Sequence, residues 1–377
     1  MAKRKTSKKS PARAKPSASP STAKLERTRN RIDREILAKI NERAQIERQL
    51  SEIADNKTEA GKKVKSAETL SQIDDLLRIN KGPLASDAVR SVFHEIVTGC
   101  RELVAPRKVA YLGPEYSYSY LAATEQFGST ADLVPVGTIA AVFEEVEHGN
   151  VDYGLVPLEN STDGRITDTL DMFTRVRVQI SGEVQLRIHH ALLGQGSRSQ
   201  IKKVCSKPQA LSQCRGWLAK NLPSAELVAT TSTTVAAERA AAEKDVAAIA
   251  SRQAGAKYGL EVLAAHIEDN KTNITRFAVI GDASAARTGN DKTAMLFQLS
   301  HKPGALADAM NVFKRKRLNL TWIESFPLVG QPNEYLFFVE LHGHEKDLRV
   351  RQALGALEKK TERLEVLGSY ACSKPVD

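Results

Sequence analysis

The sequence predicts a multidomain chain, with an all-α segment at the N-terminus, an α/β two-lobed block in the centre and an α+β block at the C-terminus. Three observations carry this reading. Apolar residues recur at helical spacing through residues 25–55 with no Pro or Gly. Short apolar runs alternate with helical patterns from residue 108 to about 284. From residue 293 onward the pattern reads strand, helix, strand, strand, helix, strand. At 377 residues and 41.3 kDa the chain has room for two or three domains.

Composition narrows the function classes. With 41% hydrophobic and 27% charged residues, most of the chain is expected to be globular. No apolar run is long enough for a membrane helix, so no membrane partner is expected. The cysteines, at 100, 205, 214 and 372, form no CxxC pair, and a reducing, cytoplasmic location is the expectation. No His/Cys cluster has metal-ligand spacing and no Gly-rich loop reads as a nucleotide site, so neither metal nor cofactor is expected. The net charge of +10 belongs mainly to the first 24 residues, which hold eight basic groups and no acid; the rest carries +2. That tail has no Leu, Ile, Val or aromatic residue and reads as a disordered extension. An arm for nucleic acid is the other reading, with charge as its only support.

The helical segment follows at 25–105. Leu25, Ile32, Ile36, Ile40, Ile46, Leu50 and Ile53 form one long stripe. Gly61 marks a break, a second helix is expected near 67–79, and Gly82-Pro83 separates it from a third near 85–103. Two shorter helices cannot cover so long a stripe, so long helices are expected to pair in a dimer. The segment resembles the all-helical chorismate mutases, on Ile32-Asp33 and Glu42-Arg43. Arg43 matches one of that family's cationic substrate ligands. The other matched polar positions fall at Glu26, Ala54, Glu68-Thr69 and Val104, so the resemblance implies a domain that dimerises with feeble mutase activity. Lys57, Lys62, Lys63 and Lys65 are the candidates to compensate.

In the central block, strands are expected near 108–112, 133–136, 153–157, 177–190, 202–205, 226–230, 246–250 and 276–281. Helices are expected near 118–127, 137–148, 165–173, 208–220, 233–242 and 251–258. Four polar clusters stand out. Gly113-Pro114-Glu115-Tyr116-Ser117-Tyr118-Ser119 leads into a helix and suits an anion. The run from Val156 through Glu159-Asn160-Ser161 to Gly164 ends a buried strand. Thr231-Ser232-Thr233-Thr234 precedes an Ala-rich helix, and Asn273-Ile274-Thr275-Arg276-Phe277 enters a strand. Taken singly, a Ser or Thr before a helix is an ordinary cap.

In this order and at these spacings, the clusters resemble prephenate dehydratase over residues 108–284. Gly182-Glu183, His190-Ala-Leu-Leu193, Ser206 through Leu211, and Gln213-Cys214 belong to the same resemblance. Tyr116-Ser117-Tyr118 stands where that family has Gly-Thr-Phe, and Lys207 where it has His. The resemblance implies a cofactor-free reaction in which prephenate loses carbon dioxide and water and becomes phenylpyruvate. It implies Thr275 as proton donor to the leaving hydroxyl, Arg276 as partner of a substrate carboxylate, with a structural salt bridge as the other reading of that arginine, and Phe277 as the third member of the motif. It further implies that Asn160, Ser161, Ser117, Thr231, Ser232 and Thr233 hold carboxylates, that Glu159 orients its loop, and that Gln213 is a polar contact. His189 and His190 are assigned to structure.

The C-terminal block, 291–370, resembles the small-molecule-sensing ACT domain, a ferredoxin-like fold. Gly304-Ala305-Leu306-Ala307 and Glu324-Ser325-Phe326-Pro327 match the two motifs that bind phenylalanine in that family, where Arg replaces Phe326. The whole chain therefore resembles the bifunctional chorismate mutase–prephenate dehydratases. The expected partners are prephenate, with chorismate as a further substrate, L-phenylalanine as effector, and a second copy in a homodimer or homotetramer. The rival reading is a non-catalytic sensor of an aromatic acid, since two-lobed α/β folds also serve solute-binding proteins.

Overall fold

A computed structural model describes residues 22–55, 73, 75–104, 106–162, 164–282, 284–327 and 335–376. The basic tail through residue 21, the lysines at 57–65, the Glu68-Thr69 pair and the turn at 330–333 lie outside the described residues. Helix α1 (Thr22–Asp55) is uninterrupted, and α2 (Ser86–Glu102) packs against it. Residues 75–79 are helical, in the place expected for the second helix. No described helix is long and apolar enough to cross a membrane.

The central block contains two sheets. The first comprises β1 (Lys108–Leu112), β2 (Asp132–Val136), β3 (Tyr153–Asn160), β4 (Gly164–Arg165), β5 (Gln179–Arg187) and β11 (Ile274–Gly281). Helices α3 (Tyr118–Phe127), α4 (Ile139–Glu147) and α5 (Thr167–Arg175) flank it. The second comprises β6 (Ala191–Gly194), β7 (Lys203–Ser206), β8 (Glu226–Ala229), β9 (Val246–Ala250) and β10 (Glu261–Ala264). Its helices are α6 (Pro208–Gln213), α7 (Arg215–Asn221), α8 (Thr233–Ala242) and α9 (Arg252–Lys257). The chain crosses between the lobes twice, at residues 188–190 and 265–273. The strand expected over 177–190 therefore stops at Arg187, and β6 starts a new sheet. The helix expected over 208–220 breaks at Cys214, whose φ of −112° leaves the helical region.

The C-terminal block has β12 (Asp291–Gln298), α10 (Ala305–Lys316), β13 (Leu320–Pro327), β14 (Tyr335–His342), α11 (Leu348–Glu358) and β15 (Arg363–Ala371). The sheet order β13-β14-β12-β15 is the ferredoxin-like arrangement. A final short strand, β16 (Pro375–Val376), returns to the first sheet beside β5.

Strand alternation docks this block onto the central one. On β12, Met295 and Phe297 face α10 and α11, while Ala294 and Leu296 join a cluster with Phe143, Phe173 and Ile180 of the central lobe. Phe326, where the related ACT motif has Arg, lies buried in that shared cluster. Gly368 of β15 sits at φ 141° directly over the Ile180 backbone, so a Cβ there would collide with β5.

Candidate active site

Two of the sequence motifs are neighbouring strands. β11 runs antiparallel to β3 with Thr275 opposite Asn160 and Arg276 opposite Glu159. A register shift follows between Arg276 and Phe277. Alternation then sends Asn160 and Thr275 to one face of the sheet and Glu159 and Arg276 to the other.

On the first face the polar groups form a continuous, mostly buried chain. Asn160 Nδ2 donates to Thr275 Oγ1 at 2.8 Å and to Asn273 Oδ1 at 3.0 Å. Asn273 Nδ2 donates to Gln213 Oε1 at 3.1 Å, and His190 Nε2 lies 2.9 Å from the same oxygen. The Tyr118 hydroxyl bridges His190 Nδ1 at 2.9 Å and the His189 carbonyl at 2.8 Å. Asn160, Asn273, Thr275 and His190 are all buried. Burial pushes the His190 imidazole below its usual value, against a smaller opposing pull from Gln213. A neutral His190 with its proton on Nε2 donates to Gln213 Oε1, which only accepts, and its Nδ1 then shares the single Tyr118 proton with the His189 carbonyl. Burial also raises the Tyr118 phenol well above its ordinary range, which keeps it a hydroxyl donor.

Thr275 Oγ1 thus accepts a hydrogen bond, and its own proton is left for another acceptor. A donor at that oxygen stabilises the alkoxide and makes the hydroxyl a better acid. Gln213 comes from the second lobe and Thr275 from the first, so the chain spans the lobe junction.

The other expected ligands hold different places. Ser161 Oγ donates to the Thr272 carbonyl at 3.2 Å and accepts from Ile274 N at 2.9 Å, so it ties its loop to β11. Ser117 caps α3 by accepting from Tyr120 N, and donates to the Leu112 carbonyl at 3.2 Å. Both hydroxyl protons are taken within the protein, which leaves backbone N–H groups as the donors these segments offer a carboxylate. Ser232 caps α8 by accepting from Val235 N at 3.0 Å. Thr231 is exposed beside it, and Thr233 is buried at the first position of the helix. Phe277 packs in the core with Val109, Tyr111 and Leu155.

Arg276 forms ion pairs on the other face of the sheet. Its guanidinium reaches Glu159 at 2.9 Å, Glu183 at 3.0 Å and Glu340 of β14 at 2.7 Å. Lys292 also reaches Glu183 at 2.9 Å, and the Tyr370 hydroxyl donates to Glu340. Burial would raise the Glu183 carboxyl, but Lys292 and Arg276 outweigh it and hold it below its usual value. Of the two readings of Arg276, this geometry is that of the salt bridge: the guanidinium is the centre of an ion network joining the central and C-terminal blocks. A second tie lies nearby. Arg165 of β4 reaches Glu324 at 2.6 Å and the Ser325 carbonyl at 3.3 Å, while β4 itself pairs with Glu159 and Asn160.

In the C-terminal block, Gly304 precedes α10 at φ 85°, a left-handed conformation that glycine adopts without strain. Leu306 and Ser325 are exposed, and β13 is an edge strand. In the helical segment Arg43 pairs with Glu47 at 3.7 Å.

Sequence reasoning assigned His190 to structure and gave Tyr118 and Asn273 no role. The signal for Tyr118 was present: it puts a hydroxyl where the related family has Phe.

A family model described as PDT: Prephenate dehydratase matches residues 109–285. The chain is 42% identical over 347 residues to the bifunctional chorismate mutase/prephenate dehydratase of Aquifex aeolicus (strain VF5), covering 90% of this chain and 95% of that protein. The prephenate dehydratase of Arthrobacter aurescens, solved in complex with L-Phe, superposes with a TM-score of 0.66 at 33% identity, covering 70% of this chain and 90% of that one. GqqA, described as a novel type of quorum quenching acylase, superposes with a TM-score of 0.65 at 29% identity, covering 71% and 98%.

Proposed function

The chain belongs to the bifunctional chorismate mutase/prephenate dehydratase family, and we propose that it turns prephenate into phenylpyruvate with Thr275 as the proton donor and L-phenylalanine as inhibitor. Four units divide the work: a basic tail at 1–24, a mutase-like helical domain at 25–105, the dehydratase at 108–284 and the ACT domain at 291–370. The observation that carries the catalytic reading is the hydrogen bond from Asn160 Nδ2 to Thr275 Oγ1 within a buried chain of polar groups.

The reaction breaks the bond between the ring and its carboxylate. That electron pair moves through the ring and expels the hydroxyl on the opposite carbon. One proton converts the leaving hydroxide to water, and the ring becomes aromatic. Aromatisation drives the step, so the protein must hold a dianion and place one proton. The amides of Asn160, Asn273 and Gln213 fix the Thr275 hydroxyl without adding a negative charge beside the substrate. The N-terminus of α8, with Ser232 and Thr233, supplies a dipole and N–H groups for a carboxylate. Acyl hydrolysis needs a base beside its nucleophile; the neighbour of Thr275 Oγ1 is an amide, which supports dehydration over that chemistry.

L-phenylalanine is placed at Gly304, Ala305 and Leu306 with Glu324 and Ser325, between the C-terminal domains of two copies. The exposed edge strand β13 supports that pairing. The Arg165–Glu324 tie leads from that site to the Asn160 loop. The function is tested by following phenylpyruvate release from prephenate by the chelator-treated protein, with and without L-phenylalanine. Failure to release phenylpyruvate would overturn the proposal.

A further inference from the structure

We propose that the two segments crossing between the lobes carry a site for one divalent transition metal of the zinc class, formed by His189, His266 and Glu268. His189 lies on the first crossing, and His266 and Glu268 lie on the second. Backbone bonds already hold the crossings together, from Ile188 N to Asn273 O at 2.8 Å and from Ile267 N to His190 O at 3.0 Å.

Three lone-pair atoms converge there. His189 Nδ1 is 2.9 Å from Glu268 Oε1 and 3.1 Å from His266 Nδ1, and His266 Nδ1 is 3.6 Å from the same carboxylate oxygen. If one Nδ1 carries its ring proton, that proton is shared between the other nitrogen and the carboxylate; if both do, the two N–H groups face each other at 3.1 Å. A metal fits the triangle better. Tetrahedral bonds of about 2.0 Å give ligand–ligand edges of about 3.3 Å, and the three observed edges straddle that length. Two imidazoles and one carboxylate suit zinc, cobalt or nickel over the oxygen-seeking magnesium and calcium.

The surroundings are those of a built site. The Glu268 side chain is 1% exposed, and its other oxygen accepts the His190 N–H at 2.9 Å, which fixes the carboxylate. The His266 and His189 side chains are 52% and 33% exposed, leaving a fourth position open to water and a route of entry. The metal takes no part in proton donation, since none of its ligands touches Thr275. It pins the two crossings to each other, one residue from the His190–Gln213 contact, and so stiffens the hinge between the lobes. Ligand positions 77 and 79 residues apart hide the site from any reading of local spacing.

The test uses the full-length protein stripped with chelator and titrated with cobalt(II). The expected result is one equivalent bound, with the visible d–d bands of a tetrahedral centre, displaced by zinc. His266→Asn keeps a residue tolerant of the positive φ and should weaken binding at least about 100-fold. His148→Ala, at an exposed histidine elsewhere, should leave it unchanged. Absence of the bands, undiminished binding in His266→Asn, or charge-transfer bands of a cysteine ligand would each overturn the site. Because the readout is spectroscopic, it is independent of prephenate turnover.

Discussion

Thr275 and Arg276 are adjacent on β11 yet serve opposite faces of one sheet. Thr275 Oγ1 is 2.8 Å from Asn160 Nδ2 at the lobe junction, and the Arg276 guanidinium is 2.7 Å from Glu340 of the C-terminal domain. One strand thus joins the buried polar groups to the interdomain contact, and a shift of the C-terminal sheet would reach the proposed proton donor through a single peptide unit. The two residues should separate cleanly by experiment.

Thr275→Ala should lower turnover of prephenate by at least ~100-fold, a usual scale for a positioned proton donor, with KM changed much less. Thr275→Ser keeps the hydroxyl and should recover part of the rate. Phenylpyruvate absorbance gives both numbers. An alanine variant with wild-type turnover would remove Thr275 from the chemistry.

Arg276→Met should instead act on stability. It removes the cation shared by three carboxylates, of which Glu183 keeps Lys292 and Glu340 keeps Tyr370, and breaking a buried ion network typically costs about 3–5 kcal/mol. The urea midpoint should fall, and Arg276→Met with Glu340→Leu should recover part of the loss. Arg276→Lys keeps the charge but cannot fork between Glu183 and Glu340, so an intermediate midpoint is expected. If Arg276→Lys raised the KM for prephenate while leaving the midpoint untouched, the substrate-carboxylate role would stand and this one would fall.

How much of this was legible in the sequence depends on what each residue must do. The long α1, the alternation of the central block and the order of the C-terminal block follow from periodicity, and the structure has them. Thr275, Asn160 and Gln213 were legible from motif resemblance, and they are brought together. The direction of Arg276 was not, because it depends on a partner, Glu340, from a different domain. The break at Ile188–His190 was hidden for a related reason. An alternating polar and apolar run over 177–190 looks the same whether one sheet or two receive it, and only the pairing of β6 with β9 decides.

Arg165→Ala should uncouple binding from inhibition. Arg165 joins Glu324 and the Ser325 carbonyl to the strand opposite Glu159 and Asn160. L-phenylalanine should still bind, by calorimetry, while the concentration that halves activity rises at least about fivefold, the low end of ordinary coupling. Unchanged inhibition would route the coupling elsewhere, with the Arg276–Glu340 contact as the next candidate.

Stability should rise with pH around neutrality because of His190. Burial holds its imidazole below the ordinary 6.5, so between the two values the unfolded chain binds more protons than the folded one. The contribution is present above about pH 6.5 and is lost as pH falls toward the folded value. His190→Asn should flatten the dependence of the unfolding midpoint between about pH 5 and 7. The depressed Glu183 carboxyl acts in a separate window. Its contribution fades only as pH drops below the ordinary 4.5, so the two are distinguishable in one titration. A slope that survives in His190→Asn would assign it to another group.

The helical domain should dimerise and turn over chorismate feebly. Within one chain the α1 stripe is uncovered: Ile36 and Leu50 are each 51% exposed, and Leu25, Ile32, Ile46 and Ile53 join them. Burying one such side chain is worth about 1.5–3 kcal/mol, so a paired stripe provides ample driving force for association. Ile36→Glu with Leu50→Glu should give a smaller species in sedimentation velocity, with prephenate turnover retained. The chemistry is a separate matter. Arg43 pairs with Glu47, and Glu26 puts a negative charge on the first helix where the related mutases carry Arg. Losing one oxyanion-type donor commonly costs about 100- to 1000-fold, so losses at Glu26, Ala54 and Val104 should leave little above background. Glu26→Arg alone should then raise the rate only slightly, since it fills one empty position among three. Robust wild-type turnover of chorismate would mean that lysines between 57 and 65 complete the site, and Lys57→Ala and Lys65→Ala would identify which.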